Sequence, residues 1–481
     1  METAGISAID QKKFLIINNI MQINTKFIPA SPGVYIVGGT IRDMLMDKAP
    51  VDFDIAAAPP CEPLARQIAA NVGSRVVPIG KPGARIYHIA AGDRRFDIAP
   101  LWGADIEADL RRRDFTVNAM AWDVAGSRLI DPLGGAADLN AGKIRMISAH
   151  NLEADPILLL RAFRLAACLC FTLAADTRAA IAARSERIRE AAGERIRDEW
   201  MKILAVDKAL PHIRAMDAAG LLTAVFPELA DLKNCRQNGH HEFDGFAHTL
   251  SAFSHLEALL GHPGLLQPET MQTDTGDSPQ AAASDPVRLK LALLLHDIGK
   301  PVCRSRDEAG RIHFYRHESV GADMAGAAGR RLRLSNRHQA YITFIIRNHL
   351  RPLFLFTGRQ MQKLTGKGIT RFFRQSAPFT VDLLIHAIAD ARGKTSGQQQ
   401  TAFESFCRQL IRRYLVEFLP RSAAPPLITG HDLMRECRLS PSPLFSKILS
   451  LVETERLAGR LQSRADALEW IKNFLNDHPH S

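Results

Sequence analysis

The sequence predicts an α+β protein: an N-terminal α/β head on a mixed sheet with helices, followed by a mainly helical body. Three observations predict it. Short β-former runs punctuated by glycine and proline fill residues 31–150, and alanine- and leucine-rich segments with helical spacing follow from Asp155. The length of 481 residues exceeds the roughly 250–300 at which one hydrophobic core stops growing. Apolar residues at 46% and charged residues at 23% match ordinary folded chains, which excludes wholesale disorder, collagen-like repeats and coiled coil.

The elements read in order as follows. An apolar stretch, Phe14 to Ile23, is broken by Asn18, Asn19 and Gln22 and predicts a cytoplasmic N-terminal helix within residues 1–30, not a membrane span. Gly33 to Val37 reads as a strand ended by Gly38 and Gly39, with Thr40 capping a helix from Ile41. Pro50 precedes the alternation Val51-Asp52-Phe53-Asp54-Ile55, and strands are expected at Ser74–Ile79, Arg85–Ala90 and Arg95–Pro100. Asp155-Pro156 reads as an N-cap followed by proline at the first helical position. Residues 263–286 are too polar to pack and read as a mobile loop.

The expected division is an N-terminal helix at 1–30, a head at 31–150, a helical neck at 151–235, a histidine-rich domain at 236–395 and a helical tail at 396–481. Seven scattered cysteines lack zinc-ribbon spacing and read as reduced bystanders. An excess of ten positive charges suits a polyanionic partner.

Chemistry concentrates in three places. Strand alternation puts Asp52 and Asp54 on one side, where paired carboxylates attract Mg²⁺ and, with phosphate oxygens, suit nucleotidyl transfer. Alone, such a pair is more often a solvated edge. Gly38-Gly39 changes the balance, because a strand-to-helix turn without side chains lets backbone N–H groups approach a triphosphate, with Arg42 on the next helix's first turn.

These residues resemble the class II tRNA nucleotidyltransferase and bacterial poly(A) polymerase superfamily. Gly38-Gly39-Thr40-Ile41-Arg42-Asp43-Met44-Leu45 with Asp52-Phe53-Asp54 matches its first block, and Arg112-Arg113-Asp114-Phe115-Thr116-Val117-Asn118-Ala119-Met120 its second. Asp131-Pro132-Leu133-Gly134-Gly135, with Asp138 and Arg145, matches the third. The resemblance implies two Mg²⁺ on the catalytic Asp52 and Asp54, with Gly38, Gly39, Arg42, Arg112, Arg113, Asp114 and Asn118 around the nucleotide. It further implies addition of CMP and AMP from CTP and ATP to the 3′ end of tRNA or another RNA. The alternative is an adenylyl-only enzyme. Asp97, on a further alternation, is a candidate third carboxylate.

In the neck, Asp155, Arg161 and Arg164 match the family's base-reading segment, but Ala154 replaces an acid and Leu158 replaces an arginine. Asp155, Leu158 and Arg161 are expected to form one helical stripe facing the nucleotide. Because leucine donates no hydrogen bond, the choice between ATP and CTP is expected to differ. Glu194 to Glu199 resembles a supporting motif, although such mixed charge also describes a solvated helix.

His296-Asp297, with His248, His317, His349 and Asp390, resembles the metal-ligand set of HD-superfamily phosphohydrolases. It implies a transition metal such as Ni²⁺ or Mn²⁺ and hydrolysis of phosphoesters at RNA ends. A rival reading is a hydrolase whose head only binds RNA. His240, His241, His255, His313 and His386 read as satisfied core histidines, and His431-Asp432 as a helix cap. Arg359, Lys363, Lys367, Arg371 and Arg374 read as one cationic helical stripe for RNA phosphates.

Overall fold

The computed structural model describes residues 26–477 except 82–84, 234, 236–243, 263, 265–282 and 395–396. The expected N-terminal helix, most of the expected 263–286 loop, His240 and His241 therefore lie outside the described residues. The chain forms two compact units, Met1–Val206 with Pro211–Val225, and Asp207–Leu210 with Phe226–Ser481. No helix among the described residues is long and apolar enough to cross a membrane.

The first unit is built on a seven-stranded sheet of order β3-β4-β5-β2-β1-β6-β7. The strands are β1 (Val34–Val37), β2 (Asp52–Ala57), β3 (Val77–Ile79), β4 (Ile86–Ala91), β5 (Arg94–Pro100), β6 (Ala121–Asp123) and β7 (Arg128–Ile130). Within this sheet, among the described residues, only β2 and β5 pair in parallel. The acidic strand is thus central, not an edge. Its inward residues Phe53 and Ile55 lie beside Phe96 and Ile98 of β5, all at most 1% exposed, with the Phe53 and Phe96 rings stacked at 4.9 Å. Helices α1 (Gly39–Leu45), α2 (Glu62–Asn71) and α3 (Ile106–Arg111) belong to the head, with Ala65 and Ile68 of α2 fully buried.

The first helix starts earlier than expected, and Thr40 does not cap it. Gly38 stands at the N-cap, while the Thr40 hydroxyl donates to Asp52 O and accepts from Asp54 N, both at 3.0 Å. The reason is that β1 ends at Val37, opposite Asp54. Beyond that point the backbone of β2 has no strand partner on this side, and Thr40 satisfies it instead. The same bonds fix the acidic strand.

A short helix, α4 (Ala149–Ala154), precedes the neck helix α5 (Ile157–Leu169), which packs on α6 (Gly193–Ala205). The Asp155 cap is also corrected: Pro156 holds the N-cap position, and the Asp155 carboxylate accepts both Arg195 Nη atoms at 2.7 and 2.9 Å. A charge-assisted fork outcompetes a cap bond.

In the second unit, α7 (Gly245–Gly261), α8 (Pro286–Leu295), α9 (His317–Arg331), α10 (Asn336–Asn348) and α13 (Thr380–Arg392) carry the histidine cluster. The expected cationic stripe is not one helix. Arg359 lies in α11 (Arg351–Gln360), whereas Lys367, Arg371 and Arg374 lie in α12 (Gly366–Ser376). The break between them includes Gln362 at φ 56°, a left-handed conformation that ends helical continuity. At the C-terminal end, Ile428, Leu433, Ile448, Val452 and Ile471 form a small core, and Thr429 with Asp432 makes a capping box beside exposed His431.

Candidate functional site

The parallel register of β2 and β5 sets Asp54 beside Asp97 and Asp52 beside Arg95. Asp52 and Asp97 keep 67% and 47% of their side chains exposed. Burial pushes the Asp54 carboxyl above the usual range; Asp97 and Asp52 push it further up, against the pull of Arg113 and Arg42. Carboxylates that hinder one another's ionisation are donors that a hard divalent cation relieves. His88, across the β4–β5 ladder, holds Asp97 at 2.6 Å. Sequence reasoning missed it, since only the strand register brings it there.

Gly38 closes this site from the side. At φ +70° a Cβ would stand 3.3 Å from Asp54 Oδ2 and 3.1 Å from Arg113 Nη1, so the glycine leaves room beside both charges. Its N–H donates to Met120 O at 3.3 Å, which corrects the expectation that this amide faces a phosphate. Space is what the residue contributes.

The arginines are tethered from behind. Buried Asp109 accepts Arg113 at 2.8 and 3.1 Å and Arg112 at 3.4 Å, and it receives the Trp102 backbone N–H at 3.2 Å. Sequence reasoning missed Asp109, although an acid three and four residues ahead of two arginines on a helix was a usable signal. Arg42 bonds Asp43 and, at 2.7 Å, Asn118 Oδ1, and Asn118 in turn donates to Asp114 at 3.1 Å. The third sequence block braces this layer: Asp138, 8% exposed, accepts from Thr116 at 2.7 Å and from Arg145 at 3.0 Å.

A cleft of about 590 Å³ opens over these groups. Gly38, Gly39, Asp54, Arg112, Arg113, Asp114 and Asn118 line it together with Asp155, Leu158 and Arg161. Asp52, Arg42 and Arg164 are outside its lining. Glu199, 6% exposed, receives Arg161 at 3.1 Å and Arg164 at 2.8 Å, and Arg161 reaches Asp114 at 3.5 Å. Burial works against the Glu199 charge, but the two arginines outweigh it and hold the carboxyl below its usual pKa. In the charged neck motif, Arg195 therefore bonds Asp155 just ahead of the neck helix and Glu199 bonds Arg161 and Arg164 on it, while Arg197 and Asp198 pair with each other.

The second unit gathers His248, His296, Asp297, His317, His349 and Asp390, each at most 8% exposed. His296 follows the last residue of α8, so that helix stops before the glycine and proline expected to end it. His296, His317 and His349 each donate Nδ1–H to the carbonyl three residues back, Leu293, Phe314 and Ile346, at 2.7–2.8 Å. A carbonyl only accepts, so Nε2 is left to face inward. Gly299 permits the close packing: a Cβ there would stand 2.3 Å from His317 O.

Within the cluster, Asp390 Oδ1 lies 2.8 Å from His248 Nε2, and Asp297 Oδ1 lies 3.4 Å from His317 Nε2. His317 Nε2 and His349 Nε2 face each other at 3.3 Å. Two acceptor nitrogens so close require a cation or a proton between them, so this donor set fits a transition metal. Burial opposes protonation of His296, but Asp297 and Asp390 outweigh it and push its pKa up to about 9. Burial and the neighbouring His296 push His349 down to about 3. Lys300 and Lys394 neutralise Asp297 and Asp390 at 2.6 and 2.9 Å.

The bystander histidines differ from expectation. His386 is fully buried, but neither ring nitrogen has a hydrogen-bond partner among the described residues, and its ring lies 5.2 Å from that of His296. One turn before Asp390, it belongs to the cluster's wall. His313 is a half-exposed partner of Asp307 at 2.9 Å, and His255 is half-buried, so neither is core.

Three family models match the chain: the poly A polymerase head domain at residues 34–104 and 102–145, the probable RNA and SrmB-binding site of polymerase A at 170–233, and the HD domain at 245–391. The A-adding tRNA nucleotidyltransferase of Deinococcus radiodurans is 31% identical over 461 residues, covering 94% of this chain and 98% of that protein. The CC-adding tRNA nucleotidyltransferase of Thermus thermophilus is 31% identical over 461 residues, covering 92% and 96%. Among solved structures, a CCA-adding enzyme with CTP superposes with a TM-score of 0.65 at 20% identity, covering 97% of this chain and 98% of that one, a likeness of fold. By full-length similarity and by fold, with its acidic strand, arginine-lined cleft and histidine cluster in matching segments, the chain belongs to the tRNA nucleotidyltransferase and poly(A) polymerase family and carries an HD domain.

Proposed function

We propose that the chain adds CMP and AMP, from CTP and ATP, to the 3′ end of tRNA without a template. The observation that carries this is Asp54 between Asp52 and Asp97, at the foot of an arginine-lined cleft beside the side-chain-free Gly38. A nucleotidyltransferase head works with a divalent cation, and Asp52 and Asp54 are the residues that would hold Mg²⁺. A cation bound there would supply charge to activate the attacking hydroxyl and to offset that of the departing pyrophosphate.

The chain's own groups do the rest. Gly38 and Gly39 leave space for the triphosphate; Arg112 and Arg113, fixed by Asp109, meet its negative charge; Asn118 and Arg42 brace Asp114. Asp155, Leu158 and Arg161 face the base. Arg161 is the only one of the three with donors, and Asp155 is shared with Arg195. Leu158 is the specific observation that favours a second reading, an enzyme that transfers adenylate alone. Arg164 acts through Glu199, behind the cleft.

We assign catalysis to residues 31–150, nucleotide and RNA binding to the neck at 151–235, phosphoester hydrolysis to 236–395 and RNA docking to the tail at 396–481, in the cytoplasm. In the histidine cluster, a Ni²⁺ or Mn²⁺ ion on the six clustered ligands would activate water for hydrolysis of cyclic or terminal phosphates on RNA. Hydrolysis of a 2′,3′-cyclic phosphate should stop with EDTA and return with Ni²⁺ or Mn²⁺; inactivity with every metal sinks that assignment.

The test of the transfer reading is tRNA lacking its 3′ CCA, offered CTP, ATP or both. Extension with pyrophosphate release is expected, and ATP-only extension would select the second reading. No extension with any triphosphate overturns both.

A further inference from the structure

The side chain of Trp102 has a setting unusual for a tryptophan. It is 55% exposed, whereas Trp122 and Trp200 are 3% and 0% exposed and Trp470 stacks on Phe474 at 5.3 Å. A large aromatic surface left in water inside a concave, charged site is available for a ligand to pack against. Trp102 lines the same cleft as Asp54, Gly38, Arg113 and Leu158.

The residue is also held in place. It lies between β5 and α3, its backbone N–H is anchored on buried Asp109 at 3.2 Å, and the Arg112 guanidinium lies over its ring at 5.4 Å from the centroid. Arg112 is itself tied to Asp109, so the loop, the ring and the cation share one buried anchor. One face of the indole is backed by a cation. With more than half of the residue in water, a flat ligand has access to the ring.

We propose that Trp102 is a stacking platform for a nucleobase in this cleft. The proposal rests on the nucleotidyl-transfer reading and deepens it. Leu158 cannot read a base edge, but an aromatic face needs no edge: every base has a π-face, so stacking supplies affinity that does not depend on hydrogen-bond pattern. A purine offers more face than a pyrimidine, so ATP gains more from Trp102 than CTP. The base comes from the incoming triphosphate or from the 3′-terminal residue of the RNA, and separate titrations distinguish the two.

Trp102 is the one exposed tryptophan of the four, and the ligand-induced change in emission that is lost in Trp102→Phe reports on the cleft. The full-length protein is titrated with ATP, CTP, base-free ribose triphosphate and tRNA lacking its 3′ CCA. Quenching by ATP, and more weakly by CTP, supports the platform with the triphosphate as source. Quenching by tRNA alone supports it with the RNA as source. Base-free triphosphate is expected to bind without quenching.

Trp102→Ala should weaken affinity for the quenching ligand between about fivefold and a hundredfold, while Trp102→Phe stays within about threefold because a ring remains. If neither triphosphates nor RNA change the fluorescence, or if the alanine variant keeps the KM of wild type for both, the platform is overturned. The two readings fail separately. Quenching by ATP in a protein that extends no RNA sinks the transfer reading alone, and extension with KM values untouched by Trp102→Ala sinks the platform alone.

Discussion

The head site and the histidine cluster both gather carboxylates, but they treat water in opposite ways. Asp52 and Asp97 keep 67% and 47% of their side chains exposed, while His296, Asp297 and His349 keep 1% each. In the head, arginines are tethered from behind by Asp109 and Glu199 and present their remaining donors to an open cleft. In the cluster, Lys300 and Lys394 neutralise the acids internally, and backbone carbonyls lock the imidazoles. The difference teaches what each site can take: the first a large, exchangeable polyanion, the second a small ion held by a closed ligand set.

Asp54→Ala tests that division hardest. Nucleotide incorporation should fall by at least about a thousandfold, with cyclic phosphate hydrolysis unchanged within about twofold. Equal loss of both activities would erase the distinction. In the closed site, Asp297→Ala leaves Lys300 and the imidazoles of His248, His296, His317 and His349 without that carboxylate, so urea unfolding should show a loss of about 3–5 kcal/mol. A loss under about 1 kcal/mol would mean that the cluster is not the internally balanced set described.

Glu199→Gln probes the tether of the open site. It should lower kcat/KM for nucleotide transfer by roughly tenfold to a hundredfold, since Arg161 and Arg164 lose their shared anchor. Its stability cost carries a sign in pH. The arginines hold Glu199 below the usual value of 4.5, so its contribution is complete above that pH and fades as pH falls through the lower folded value. The gap in melting temperature between wild type and Glu199→Gln should therefore narrow from about pH 5 to about pH 3. A constant gap would show that the carboxylate charge is irrelevant. Leu158→Arg, the mildest change, should shift the ratio of ATP to CTP use by about tenfold in steady-state competition. An unchanged ratio would move base choice elsewhere in the cleft.

Much of this was readable from local patterns. The acidic strand, the glycine turn and the order of helix-end histidines follow from alternation, missing side chains and spacing, which need no knowledge of the fold. The misreadings share a cause. Thr40 and Asp155 look like caps over a few residues, but Thr40 completes β2 and Asp155 holds Arg195 forty residues away. His88 matters only through a strand register, which a linear pattern does not display, whereas the spacing of Asp109 from Arg112 and Arg113 was legible and only its burial was not. The cationic stripe fails for the converse reason, because regular spacing of charge runs straight across a helix break at Gln362.

The most direct measurement is crystallographic: the protein soaked with Mn²⁺ and a non-hydrolysable ATP or CTP analogue, read by anomalous scattering. Manganese is expected at Asp52 and Asp54, with the triphosphate against Gly38 and Arg113. A triphosphate bound elsewhere, with those two carboxylates free of metal, would contradict it.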